Sequence, residues 1–342
     1  MIPTSTLAAG YSISRIIKGG WHLAGGHGSI DRAQALRDMA AFVEAGITTF
    51  DCADIYTGVE ELIGEFRAQY PSLAQQVQIH TKFVPDLDRL SIVGPLEVEA
   101  IIDRSLQRLR VERLDLVQFH WWDYAVPRHV EIALVLERLQ RAGKIRHIGL
   151  TNFDLEHLRH IVEGGVPVVS HQVQYSLLDE RPSGAMAEYC AATGIGLLCY
   201  GTVAGGFLSN AWLRQPSPTD LMNRSLIKYR LIIEEFGGWP LFQQLLEVLQ
   251  RVALRHGVDI ASVATRMVLD RPEVAAAIVG ATNTAHLPQH RTLGGLMLSS
   301  EDARDINAIC AQRRGPSGEV YALERDRDGP HGRIMKYTLN RA

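Results

Sequence analysis

Ile47-Thr48-Thr49-Phe50-Asp51-Cys52-Ala53-Asp54-Ile55-Tyr56 opens as a short apolar run, ends that run on a carboxylate, and places a phenol five residues farther on. Three later runs repeat the pattern. Val77-Gln78-Ile79-His80-Thr81 ends at Lys82, and Leu114-Asp115-Leu116-Val117-Gln118-Phe119 ends at His120. Ile145-Arg146-His147-Ile148-Gly149-Leu150 leads into Thr151-Asn152. Between these runs lie stretches of helical periodicity, so strand and helix alternate and a parallel sheet follows. When such a sheet closes into a barrel, the C-terminal ends of all its strands gather at one mouth. A carboxylate, an amine, a phenol and an imidazole then converge there.

Working outward, helices are predicted at 31–45 (Asp31 as cap, Gly46 as stop), 59–70 (ending at Pro71), 95–109, 128–142, 155–162, 184–192 and 260–269. Further strands are predicted at 168–175, 196–200 and 275–279, with a first strand ahead of Gly19-Gly20. That makes eight strand candidates without a short-period repeat. The fold predicted is a single α/β domain, a (β/α)8 TIM barrel over residues 1–314. A chain of 342 residues admits two domains by length alone, but barrels of this kind run long as one domain. Two segments fall outside the alternation. Residues 201–240 form an extended loop after the seventh strand, of the length that usually serves function. Residues 315–342 form a charged tail that keeps Val320, Tyr321, Leu323, Ile334, Met335 and Tyr337, and is expected to pack on the barrel or a neighbouring subunit.

Hydrophobic residues make up 46% and charged residues 21%, as in an enzyme with a sizeable core. The net charge of -3 leaves no basic stripe, so nucleic acid is not an expected partner. The first residues lack a signal-peptide pattern and no apolar run reaches membrane-spanning length. A cytoplasmic protein is therefore expected, its cysteines at 52, 190, 199 and 310 reduced and without metal-ligand spacing. No metal site is expected, and histidines other than His120 and His290 read mostly as structural. The oligomeric state stays open.

The stretch 50–56, followed by Glu60-Glu61-Leu62-Ile63-Gly64, resembles the signature of the aldo-keto reductase family. Later blocks arrive in the family's order: Lys82, His120-Trp121, Gly149-Leu150-Thr151-Asn152-Phe153, His171-Gln172-Val173-Gln174-Tyr175, the run 200–208, and Val279-Gly280-Ala281-Thr282. The resemblance spans residues 10 to 310. It implies an NAD(P)-dependent oxidoreductase that interconverts an aldehyde, ketone or sugar carbonyl and its alcohol. The alternative is a cofactor-binding regulatory subunit with slow turnover, like the family's channel-associated members.

Carbonyl reduction needs a hydride at carbon and a proton at oxygen. A phenol ionises near pH 10, roughly three units too high to shuttle protons readily at neutrality. A nearby Lys82 ammonium would lower that value, and Asp51 would hold the ammonium in place. His120 would bond the substrate oxygen and share its developing charge. The resemblance implies the same roles, with Tyr56 as general acid in reduction and general base in oxidation.

No side chain donates a hydride, so a cofactor must. No Gly-x-Gly-x-x-Gly follows a strand, which argues against a Rossmann domain. The resemblance implies a nicotinamide dinucleotide, NADPH or NADH, laid across the mouth. Thr151, Asn152 and Gln172 would hold its carboxamide and Tyr200 would stack on its ring. Gly201, Val203, Gly205, Gly206 and Leu208 would surround the pyrophosphate, the glycines at 205 and 206 permitting close backbone approach. Gly280, Thr282, Gln289 and His290 would take the adenosine end. Ala281 and His286 stand where many NADPH-specific members carry Lys and Arg, leaving Arg291 or Lys228 to meet a 2′-phosphate; the family's habit still points to NADPH. Trp21 and Trp121 would wall a small, partly apolar substrate, with Trp122 and Tyr124 nearby and the loops at 25–30, 121–127 and 210–240 shaping its space.

Overall fold

The computed structural model describes residues 2–24, 30–221 and 223–340. An antiparallel hairpin, β1 (Thr4–Ala8) and β2 (Tyr11–Ser14), precedes the barrel strands. These are β3 (Ile16–Gly19), β4 (Thr49–Asp51), β5 (Gln78–Phe83), β6 (Leu114–Phe119), β7 (Ile145–Thr151), β8 (Val168–Gln174), β9 (Gly196–Tyr200) and β10 (Val274–Gly280). All eight run parallel, and β10 closes the ring on β3 with Gly280 opposite Gly19. The predicted (β/α)8 barrel is the fold observed. Helices cover the outside, so strands such as β5 are buried on both faces from Ile79 to Phe83.

Each helix forms for a local reason. Arg32–Glu44 is capped by Asp31, whose carboxylate accepts from the Gln34 amide at 3.0 Å. Pro95–Leu109 buries Val98, Ile101, Ile102, Ser105 and Leu109, the stripe that a 3.6-residue period puts on one face. The Gly64 of the family signature lies where this helix crosses Val59–Gln69. A Cβ there would stand 2.0 Å from the Arg108 carbonyl oxygen, so only glycine lets the two backbones approach. Buried Glu60 accepts from Thr81 Oγ1 on β5 at 2.6 Å and pairs with Arg108 at 3.4 Å. The carboxylate of the signature thus anchors a helix to the barrel.

Three features depart from the sequence reading. The hairpin was unforeseen; it closes the N-terminal end of the barrel, where Leu7, Tyr11 and Ile13 pack with Ile17, Leu116 and Leu198. Residues 201–240 are no plain loop. Beyond two short 3-10 turns they hold the helix Arg224–Phe236 and the start of Trp239–His256. Tyr229, Ile232, Ile233 and Phe236 supply its buried face at helical spacing, a signal masked by the Gly and Pro residues ahead of it. Third, the predicted helix ending at Pro71 is followed by a further turn, Pro71–Ala74. Of the loop 25–30, residues 25–29 lie outside the described residues. Among the described residues no helix is long and apolar enough to cross a membrane.

The tail crosses back over the C-terminal mouth. Glu324, fully buried, pairs with Arg181 at 3.0 Å and with Lys228 at 3.6 Å. Arg325 donates to the carbonyl oxygens of Asn152 (2.9 Å) and Trp121 (2.8 Å). Farther on, the Leu339 and Asn340 amides donate to Asp86 Oδ1, and the Asn340 side chain donates to the Val84 carbonyl.

Candidate active site

The four chemical groups come together at the mouth because each ends, or follows, a barrel strand. Asp51 closes β4, Lys82 is the fifth residue of β5, and His120 follows β6. Lys82 Nζ lies 2.7 Å from Asp51 Oδ2 and 2.8 Å from the Cys52 carbonyl oxygen. It sits 4.8 Å from the centre of the Tyr56 ring. Asp51 Oδ1 accepts from Gln118 Nε2 (2.9 Å) and Gln172 Nε2 (2.6 Å), so its buried charge is fully partnered. Burial alone would lower the Lys82 pKa, but the charge of Asp51 and its hydrogen bond outweigh it and hold Lys82 above its ordinary value. Tyr56 differs from the sequence expectation. Burial raises its pKa more than Lys82 lowers it, so the resting phenol is protonated.

His120 also differs. Its Nδ1 lies 3.0 Å from the Thr151 carbonyl oxygen. A carbonyl only accepts, so Nδ1 carries the proton and the neutral ring leaves Nε2 as a bare acceptor. Burial, then the charge of Arg325, lower the His120 pKa to about 3, so the ring is neutral at physiological pH. Nε2 has no hydrogen-bond partner, and the rings of Trp122 and Tyr321 stand edge-on to the imidazole at 4.3 and 5.5 Å.

These groups floor a cavity of about 510 Å3. Asp51, Tyr56, Lys82, His120, Thr151, Asn152, Gln172, Tyr200, Gly201, Val203, Gly205, Gly206, Gly280, Thr282 and Trp21 all line it. Leu208, Gln289, His290 and Trp121 do not. Leu208 is buried in the core beside Phe207, and His290 packs toward Phe42. Thr282 and His286, just ahead of the helix Leu287–Leu293, line the wall, whereas Gln289 and His290 within that helix do not. Trp121 is wholly buried and donates to the Val126 carbonyl, while Trp122 faces the cavity. Alternation explains the exchange: Gln118, His120 and Trp122 share one side of the strand, and Trp121 the other.

Residues missed in the sequence complete the wall. Arg224, Ser225 and Tyr229 come from the helix in the 201–240 segment, and Tyr321, Met335, Lys336 and Leu339 from the tail. Gly201 is held at φ +75°, and a Cβ there would lie 2.3 Å from the Tyr229 hydroxyl. That close approach by itself requires glycine at this position. The amides of Ala204, Gly206, Phe207 and Leu208 are spent within their own turn. A Cβ on Gly206 would meet nothing, so there the wall is open to a ligand.

Comparison with known proteins agrees with this geometry. The model of the aldo/keto reductase family matches residues 15–311. The chain is similar to aldo-keto reductase YhdN of Bacillus subtilis, 29% identical over 90% of this chain and 92% of the relative. It is also similar to the NADH-specific methylglyoxal reductase of Escherichia coli, at 24% identity over 85% of this chain and 93% of the relative. Among solved structures, the glycerol dehydrogenase of Gluconobacter oxydans superposes with a TM-score of 0.78 at 24% identity, over 92% of this chain and 97% of that one. With the fold, the mouth and the family model in agreement, the chain belongs to the aldo/keto reductases, oxidoreductases that act on small-molecule carbonyls with nicotinamide cofactors.

Proposed function

We propose that this protein reduces a partly apolar aldehyde or ketone to its alcohol, and runs the reverse reaction when cofactor ratios favour it, with NADPH as the preferred cofactor. The observation that carries the reading is the buried Asp51–Lys82 pair, 4.8 Å from the Tyr56 ring on the floor of an open cavity.

Bound nicotinamide dinucleotide supplies the hydride that forms the new C–H bond. Tyr56, protonated at rest, gives its hydroxyl proton to the carbonyl oxygen as that oxygen gains charge. The Lys82 ammonium stabilises the phenolate left behind, so its influence is felt as the proton leaves rather than before. Asp51 keeps Lys82 charged, and Gln118 and Gln172 donate to Asp51 and hold its carboxylate in place. His120 presents an acceptor, which pairs with the hydroxyl of the alcohol and not with a bare carbonyl. Trp21, Trp122 and Tyr321 exclude water and favour an apolar substituent.

The wall suits the cofactor. Gly206 leaves room for close approach, and Gln172, with its amide hydrogens turned to Asp51 and Gln118, retains Oε1 for a carboxamide NH2. Arg224, Lys228, Lys336 and His286 line the cavity, whereas among the described residues the one lining carboxylate, Asp51, lies at the floor. A wall of this charge favours a 2′-phosphate over a ribose that needs an acidic acceptor. Arg291 lies outside the lining and Lys228 is engaged by Glu324, which leaves Arg224, His286 and Lys336 as the groups available to that phosphate.

Trp21 and Trp122 make the test direct: titrate the protein with NADPH and with NADH and follow tryptophan quenching. Saturable quenching, tighter for NADPH, is expected. Tighter binding of NADH would overturn the cofactor preference, and no quenching by either would sink the oxidoreductase reading for this chain.

A further inference from the structure

His129, His157 and His160 lie on two helices outside the barrel strands and do not line the catalytic cavity. His129 opens the helix His129–Arg141, and His157 and His160 stand one turn apart on Leu155–Glu163. One nitrogen from each ring lies within 4.8 Å of the other two. His129 is 5% exposed, and neither of its nitrogens has a hydrogen-bond partner. A buried imidazole with both nitrogens unpaired is uncommon and calls for an explanation.

His157 is oriented the way a metal ligand is. Its Nδ1 lies 2.7 Å from Asp154 Oδ1, so Nδ1 donates to the carboxylate and Nε2 keeps its lone pair. The same carboxylate caps the helix by accepting the His157 amide at 2.9 Å, and the Tyr124 ring stacks on the imidazole at 3.4 Å.

We propose that His129, His157 and His160 form a binding site for a divalent cation of the zinc class. Neutral imidazoles suit zinc, copper and nickel and not calcium or magnesium, which take oxygen ligands. Metal–nitrogen bonds of about 2.0–2.1 Å in a tetrahedron place ligand atoms roughly 3.3 Å apart. Small rotations of the exposed His160 and of His129 close the present spacing to that value. The fourth position faces solvent beside His160 and is filled by water. An ion there would clip together the helices that follow β6 and β7, the strands that deliver His120 and Thr151.

The test uses the full chain without a histidine tag, stripped of metal and titrated with zinc chloride by calorimetry, with cobalt as the spectroscopic probe. One zinc per chain is expected, with the visible bands of tetrahedral cobalt and a melting temperature that rises with zinc concentration. His160→Ala, at an exposed position, should keep the metal-free melting temperature and lose saturable binding, and His157→Ala should lose it too. Asp154→Asn keeps a competent helix cap and should weaken zinc about 10–100-fold, as loss of a carboxylate behind a ligand does. Absence of saturable binding in the unsubstituted chain would overturn the proposal. So would zinc binding that survives both histidine substitutions, since the ion would then sit elsewhere.

Discussion

Tyr56 and Lys82 show how one geometry separates holding a proton from releasing it. The phenol is raised by burial and eased by Lys82, so it waits protonated beside a fixed ammonium. Tyr56→Phe removes the proton and little else. Turnover should fall about 10²–10⁴-fold while NADPH quenching stays within about twofold; loss of cofactor binding instead would move Tyr56 out of the proton-transfer role. Lys18 offers a second residue-scale test. It is buried, donates to the Ala281 carbonyl at 3.2 Å, and burial, only partly opposed by Asp38, lowers its pKa to about 8. Below pH 8 both folded and unfolded chains hold the proton, and the cost of burying the charge is present in full. Between pH 8 and 10.5 the unfolded chain keeps a proton that the folded one has released, so this residue's contribution to stability rises with pH. Lys18→Met should therefore stabilise the protein at pH 7, by as much as about 3 kcal/mol, and the gain should shrink toward pH 10.5 in thermal melts. A gain that stays constant with pH would refute the assignment. At this scale the sequence exposes what lies at strand ends and conceals what lies one step inside them. Gln118 has the same orientation as His120 two residues on, yet a glutamine in an apolar run announces nothing until Asp51 is seen to need donors.

Elements that carry their own periodicity were the legible ones. Pro95–Leu109, Leu114–Phe119 and Ile260–Leu269 stand where apolar spacing put them, because each buries one stripe or one run against the barrel. The helix Arg224–Phe236 was hidden by its preface of turn residues, and the hairpin by strands of four and five residues with polar alternation. The tail could be read as packing but not as to where, since its partners, Arg181, Lys228 and the carbonyls of residues 121 and 152, are brought together only by the closed barrel. Burial would raise the Glu324 pKa, but Lys228 and Arg181 hold its carboxyl at about 2. Removing it takes the carboxylate from Lys228 and leaves Arg181 with Asp179 alone, at a cost of about 3–5 kcal/mol. Glu324→Ala should release the tail, seen as faster trypsin cleavage after Arg325 and Arg327, with KM rising as Tyr321 and Met335 leave the wall. Unchanged cleavage would mean that contacts such as Asp86 with Leu339 and Asn340 suffice to hold it.

Across the whole molecule, stability and chemistry are kept at opposite ends of the barrel. The hairpin fills the N-terminal end with Leu7, Tyr11 and Ile13, while the C-terminal mouth gathers the charged groups. Leu7→Ala should cost about 2–5 kcal/mol in denaturant unfolding and leave turnover per folded molecule unchanged; a specific loss of turnover would show that the two ends communicate. The same polarity sets where the molecule can be handled. Leu339 lines the cavity and Asn340 is tied to Val84 beside it, so the chain at residue 340 lies next to the opening. An affinity handle, a surface linker or a fusion partner attached there would pull on the wall that encloses the reactants, whereas one attached ahead of residue 1 would hang from the far pole and leave the opening clear.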